Sequence, residues 1–305
     1  MIQHKDISQI KIGTCLPGQC AEEWGPHLAK LGFETWSVNF HMEFYGVNIE
    51  EHGPRMKALA EENGVELTTL GYYCNAVQFD EHVENLKRAI KAAPLYGART
   101  VSTFAGAYED RPIPESYKRF GEVFRDMAKL AEDTGVRLAI ENCPMGGTWE
   151  RATCNIGINP KAWEVMFNEV PSDVLGLEWE PAHQMIQLID PIAQLHKWAK
   201  KVYHVHGKDA TVNHARIAEC GVLCDTDEYA PERTPGFGDS NWRDIIYILH
   251  DNGYCGDICV EGYHDPIYKD HWEMTAQKHA LNYLKWCRGG DFIETPWAPI
   301  DYAKH

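Results

Sequence analysis

Eight times along the chain, a short apolar run gives way to a longer stretch with helical spacing. This alternation restricts the fold more than any other feature, because successive βα units place their strands in parallel and need helices to cover them. The strand segments are KIGTCLP (11–17), FETWSVNF (33–40), VELTTLGYY (65–73), ARTVSTFAGA (98–107), VRLAIENCP (136–144), VLGLEWEPAH (174–183), KVYHVHGKDA (201–210) and DICVEGYHDP (257–266). Several of the helical stretches stop at a glycine, namely Gly32, Gly64, Gly97, Gly135 and Gly253. Glycine is the residue that most readily takes the left-handed conformation just past a helix. No proline- or serine-rich linker interrupts the series, so residues 1–305 read as one domain. Eight such units in 305 residues predict a (β/α)8 TIM barrel. A doubly wound sheet with a small second domain would need a glycine-rich phosphate loop after the first strand. CLPGQCAEEW offers a single glycine there.

Composition narrows the function. The formal net charge is -16, which repels phosphate backbones and anionic lipids and argues against nucleic acid as a partner. The N-terminus, MIQHKDISQIKIGTCLPG, has no long apolar run before Cys15, and no later segment is long enough to span a bilayer. A cytoplasmic protein without a membrane partner is the expectation. The ten cysteines fit this: they are scattered and form no C-x-x-C, so they read as reduced thiols rather than a zinc ribbon.

In a barrel of this type, chemistry sits at the C-terminal ends of the strands. The fifth strand segment carries Glu141, the sixth Glu180 and His183, the seventh His206 and the eighth Glu261. A carboxylate after an apolar run costs several kcal/mol unless it is paired or coordinated. Three carboxylates converging on one barrel mouth also repel one another, and a divalent cation resolves both problems. His204 and His206 share a strand face, being two residues apart. The later one lies nearer the barrel top and is the candidate ligand.

With these residues in view, the chain resembles the xylose isomerase-like superfamily of sugar phosphate isomerases and epimerases, which also includes the AP endonucleases. The resemblance runs over nearly the whole chain and is carried by LAIENCP, DPIAQLHKWAKKVYHVHGKDA, RTPGFGDSNWRDII and CVEGYHDP. The family's Asp-x-x-His is here Glu180-Pro181-Ala182-His183, and its R-x-P-G-x-G loop runs from Arg233 to Gly238. The resemblance implies one divalent ion held by Glu141, Glu180, His206 and Glu261. Oxygen-rich ligands with one imidazole suit Mn²⁺, with Mg²⁺ or Co²⁺ as alternatives. Glu180 departs from the family's Asp. One extra methylene shifts the carboxylate by roughly 1.5 Å, which leaves Glu180, His183 or a water as the sixth strand's ligand.

The resemblance further implies proton abstraction beside a carbonyl through an enediolate, with Glu141 and Glu261 as the catalytic acid–base pair. His183, Lys208 and Arg233 are the candidate substrate-binding residues. Returning the proton to the opposite face, or to the neighbouring carbon, gives a sugar epimerase or isomerase. Expelling a β-substituent gives a lyase or dehydratase acting on an inosose or a 3-oxo-glycoside. The expected substrate is therefore a sugar or glycoside. A homo-oligomer is expected, or a hetero-oligomer with a small second subunit for a lyase. Tyr72, Tyr73, Phe104, Trp149 and Trp179 are placed to stack on a ring near the mouth or to pack the barrel. The DNA-cleaving branch of the superfamily needs extra histidines on the second to fourth strands, and His41 is the one histidine found there.

Overall fold

The computed structural model describes residues 7–290 together with Ile293 and Trp297. Its strands are β1 (Lys11–Pro17), β2 (Thr35–His41), β3 (Glu66–Tyr73), β4 (Thr100–Thr103), β5 (Arg137–Glu141), β6 (Leu175–Trp179), β7 (Val202–Gly207), β8 (Asp209–Ala210), β9 (Glu232–Arg233) and β10 (Asp257–Val260). Eight of them close into a parallel barrel in the order β1-β10-β7-β6-β5-β4-β3-β2. Closure is made by β10, which pairs with β1 through Lys11 and Asp257 and with β7 through Cys259 and His206. The fold is the expected single-domain TIM barrel.

Alternation along each strand sends successive side chains to opposite sides of the wall. One set carries the apolar residues. Ile12, Trp36, Val38, Leu70, Ile140, Leu177, Val205 and Ile258 are completely buried in one continuous core shared with the helices. Burying each side chain of this size contributes about 1.5–3 kcal/mol. The other set, on β6, β7 and β10, is polar: Glu178 and Glu180; His204, His206 and Lys208; Asp257, Cys259 and Glu261. The barrel axis is thus lined by charge on three neighbouring strands.

Helices cover the wall largely where the sequence patterns put them. The anticipated helix stops all have left-handed backbone, and Gly97 and Gly135 are themselves the C-caps. Several segments differ from the sequence patterns. β4 ends at Thr103 and β10 at Val260, several residues short of the apolar runs. Asp209–Ala210 does not continue β7. It pairs antiparallel with Glu232–Arg233, clipping together the two ends of a long excursion. The reason is local: Asp209 Oδ1 accepts from Ala210 N (2.8 Å) and Ser240 N (3.0 Å), and Oδ2 accepts from Trp242 Nε1 (3.2 Å), which turns the chain out of the barrel. The last helix starts at Glu273, because Asp270 adopts a left-handed backbone ahead of it.

Candidate active site

β5 and β6 deliver their acids in register, with Glu141 opposite Glu178 and Glu180 one residue beyond the end of β6. The backbone around both acids is fixed by buried asparagines. Asn142 Nδ2 donates to Glu180 O (2.9 Å) while its Oδ1 accepts from Glu180 N (2.8 Å). Asn155 Nδ2 donates to the carbonyls of Glu141 and Cys143, each at 2.8 Å. β7 supplies His206 and then Lys208. Glu261 follows β10 directly, and its N–H donates to Gly207 O (3.2 Å). The next residue, Gly262, lies so close to Glu273 that a Cβ would meet Oε1 at 1.9 Å. A side chain there would force Glu273 and Gln277 out of their present positions.

Glu141, Glu180, His206 and Glu261 come together with ligand atoms within 4.8 Å of one another. His206 Nδ1 faces Glu141 Oε1 (3.0 Å), Glu261 Oε2 (3.2 Å) and Glu180 Oε2 (3.6 Å). Both carboxylate oxygens of Glu180 and Oε2 of Glu261 are buried without a hydrogen-bond donor. Lys208 Nζ lies 3.3 Å from Glu180 Oε1 and 3.0 Å from Glu261 Oε2, and this pairing offsets only part of their desolvation. Three carboxylates and one imidazole, with unfilled acceptors aimed at one point, are the donor set of a divalent-cation site. Glu141, Glu180, His206 and Glu261 therefore fit the ion that the sequence implies.

Without a cation the group is electrostatically uneven. Burial pushes Glu141 up to about 7 against the pull of His206. Burial likewise pushes Glu180 up to about 8, although Lys208 opposes it. Glu261 is also buried, but Lys208, His264 and His206 hold it well below the usual carboxylate range. Lys208 Nζ is the nearest permanent cation, 3.0 Å from Glu261, 3.3 Å from Glu180 and 3.4 Å from Glu232. His183 is driven down to about 3 by burial and by Lys208, so it is neutral. Neither of its ring nitrogens makes a hydrogen bond, although Nε2 lies 3.3 Å from Glu180 Oε1 and Nδ1 lies 3.7 Å from Glu232 Oε1.

The site opens into a cavity of about 580 Å³. Its floor holds Glu141, His206, Glu261, Lys208 and His183, and apolar side chains including Tyr73, Phe104, Met145 and Ile186 form much of its wall. Of the sequence-predicted residues, Arg233 is placed differently. It is outside this lining, and its Nε donates to Asp265 Oδ2 at 3.1 Å while the guanidinium lies 6.0 Å from the Phe237 ring. Tyr73 and Phe104 face the cavity, whereas Tyr72, Trp149 and Trp179 pack in or against the barrel core. His41 lines the cavity, yet it belongs to none of the ion-holding groups among the described residues.

Sequence reasoning missed Glu232 and His264. Glu232 Oε2 lies 3.1 Å from His264 Nδ1, and His264 Nε2 lies 3.1 Å from Glu261 Oε1. Glu232, with Glu180 and His183, forms a second group whose ligand atoms lie within 4.8 Å. The available signal was adjacency, since Glu232 immediately precedes the R-x-P-G-x-G loop and His264 lies inside EGYHDP.

The family model described as "Xylose isomerase-like TIM barrel" matches residues 26–287. The chain belongs to this family. Among curated relatives, it is 26% identical over 170 residues to an inosose dehydratase of Clostridium beijerinckii, an alignment covering 54% of each protein. The chain thus spans about half the length of such curated relatives. Among solved structures, a xylose isomerase domain protein from Planctomyces limnophilus superposes with a TM-score of 0.70 at 17% identity, covering 92% of this chain and 97% of that one. The 3-keto-D-glucoside 4-epimerase of E. coli superposes with a TM-score of 0.66 at 16% identity, covering 91% and 100%. At these identities the structural matches establish the fold alone. No helix among the described residues is long and apolar enough to cross a membrane.

Proposed function

We propose that this chain is a divalent-metal-dependent isomerase or epimerase that moves a proton beside the carbonyl of a keto-sugar. The observation that carries the reading is the convergence of the ligand atoms of Glu141, Glu180, His206 and Glu261 within 4.8 Å, with Glu141, His206 and Glu261 lining an open cavity. A bound divalent ion supplies Lewis-acid stabilisation of the oxyanion as the proton leaves, and Mn²⁺ is the first choice for this donor set. Glu141 and Glu261 supply the acid–base pair. Burial lifts Glu141 to about 7 in the absence of an ion, and a bound cation would draw it back down. Lys208 and neutral His183 hold substrate oxygens, and Tyr73 and Phe104 face the ring. Arg233 anchors Asp265 and acts on the substrate at one remove.

A second reading is elimination. The similarity to an inosose dehydratase favours it: the same proton removal, followed by loss of a β-hydroxyl, gives a dehydratase. One experiment separates the readings. Keto-sugars, inososes and 3-oxo-glycosides are incubated with Mn²⁺-loaded enzyme in D₂O and followed by NMR. Solvent deuterium at the carbon beside the carbonyl with a new epimer or isomer supports the first reading, and water loss supports the second. Removal of the metal by a chelator should abolish turnover and added Mn²⁺ should restore it. Full activity in protein shown to be metal-free would overturn both.

A further inference from the structure

Below the proposed ligands, the barrel axis holds a line of buried groups that the chemistry above does not use. His206 Nε2, the nitrogen facing away from the carboxylate cluster, lies 3.2 Å from Glu178 Oε1. The same Oε1 lies 2.6 Å from His204 Nδ1, and His204 Nε2 lies 3.4 Å from Asp257 Oδ1. Asp257 Oδ2 accepts from Thr35 Oγ1 (2.7 Å), Thr68 Oγ1 (2.5 Å) and Cys259 Sγ (3.2 Å). Glu178 and His204 are completely buried, and His206 and Asp257 nearly so, at 2% and 3% exposure. The line crosses three adjacent strands, β6, β7 and β10. It alternates acid and imidazole, and it ends in a hydroxyl and thiol clamp at the lower end of the barrel.

We infer that Glu178, backed by His204 and Asp257, is a positioning residue that fixes the ring of His206 and its proton on Nε2, so that Nδ1 faces the cation. This inference rests on the reading of Glu141, Glu180, His206 and Glu261 as ligands. A carboxylate this deep would be expelled or neutralised without compensation. Glu178 has two imidazoles on one oxygen, while Oε2 is buried without a partner. An apolar residue in its place would fill the axis at lower desolvation cost, so the charge has a use there. An imidazole ligand must present one lone pair to the ion, and a carboxylate accepting from the other nitrogen fixes the tautomer, holds the ring plane and raises ligand basicity. Glu178 is the acid in reach of Nε2. Tyr73 Oη is also near that nitrogen, at 3.3 Å, but it carries no charge with which to raise basicity.

The test measures Mn²⁺ binding to chelator-stripped full-length protein by calorimetry, alongside the thermal midpoint of the metal-free form. Glu178→Gln keeps the size and removes the charge. It should weaken Mn²⁺ roughly 10- to 100-fold, and Glu178→Asp should recover part of the loss. With Mg²⁺ as a diamagnetic stand-in, NMR of ¹⁵N-histidine-labelled wild type should show a His206 Nε2 proton protected from exchange, and Glu178→Gln should lose that protection. Asp257→Asn, acting through His204, should weaken Mn²⁺ by a few-fold, which keeps the inference testable if Glu178→Gln fails to fold. A wild type that binds no divalent ion would defeat the ligand assignment itself. A wild type that binds Mn²⁺, with Glu178→Gln or a folded Asp257→Asn binding it equally well, would overturn this inference alone.

Discussion

At the N-terminal end of the barrel, half-buried charge meets its partners. Arg288, at the end of the last helix, donates from Nη1 to Glu34 Oε2 (2.7 Å) and from Nη2 to Glu34 Oε1 (2.9 Å), and also to Ile10 O (2.8 Å). Ile12 N donates to the same glutamate (2.7 Å). At the C-terminal end, both oxygens of Glu180 and both nitrogens of His183 are buried with no hydrogen-bond partner. Glu34 stands just before β2 and Arg288 on the last helix, whereas Glu180 and His183 follow β6; the lower pair is satisfied and the upper group is left short of hydrogen bonds. A fold tolerates buried polar groups short of hydrogen bonds where a ligand completes them, and the difference between the ends tells stability from chemistry.

The largest effects are expected at the mouth. Glu141→Gln and Glu261→Gln should each lower kcat by about 10³-fold, since each removes an acid–base group. Glu141→Gln should not lower the thermal midpoint of the metal-free protein, because burial already disfavours that charge. A large fall in midpoint with kcat intact would show that Glu141 belongs with the structural charges. Next in size is the choice of ligand after β6. Glu180 sits in the four-membered group, whereas His183 Nε2 lies 3.3 Å from Glu180 Oε1 and outside that group. Glu180→Ala should therefore lose most bound metal. His183→Ala should keep the metal and raise KM for the sugar. Metal content measured in both variants decides the matter, and loss confined to His183→Ala would reverse the assignment.

The lower end should respond in the opposite sense. Glu34→Gln should cost about 2 kcal/mol, typical of hydrogen bonds to a charged group, read from the urea midpoint, and leave kcat/KM unchanged. Burial works against the Glu34 charge, but Arg288, the Ile12 N–H and Lys285 outweigh it and lower its pKa. A depressed folded value means that the contribution is full above the unfolded value, about 4.3, and is lost as pH falls through the folded one. The gap between wild type and variant should shrink on acidification below about pH 4. A gap that grows there would refute the pairing. The smallest effect is expected at Arg233. With its guanidinium on Asp265, Arg233→Ala should raise KM by less than about 10-fold and leave kcat unchanged. A fall in kcat comparable to that of the glutamate variants would place Arg233 among the reacting groups.

Much of this was legible in the sequence for a physical reason. Strand-end acids are separated from the apolar runs before them by at most a residue, so Glu141, Glu180, His206 and Glu261 could be placed on one rim from the βα rhythm alone. What escaped notice depends on contacts between distant segments. Glu232 reaches the cavity because β9 pairs with β8 across 22 residues of separation between Ala210 and Glu232, and no periodicity signals such a clip. Glu178 sits within an apolar strand, where a lone acid gives no hint of the imidazoles above and below it. Asn142 and Asn155 act through backbone hydrogen bonds, which composition does not reveal.

The clip between Asp209–Ala210 and Glu232–Arg233 has a consequence for how a barrel of this kind diversifies. Both ends of the excursion are tied down, by Asp209 on one side and by the strand pairing on the other. The tip between them carries Leu223, which is 99% exposed, while Thr226 and Asp227 on the returning limb overhang the cavity. Tyr229 pins the returning limb, its Oη donating to Ile186 O (2.8 Å), so residues 214–228 span between fixed ends. Insertions there are expected to reshape the roof of the cavity while Glu232 and Lys208 stay in place. This is the segment in which a designer, or drift, would change what the barrel accepts while keeping its reaction.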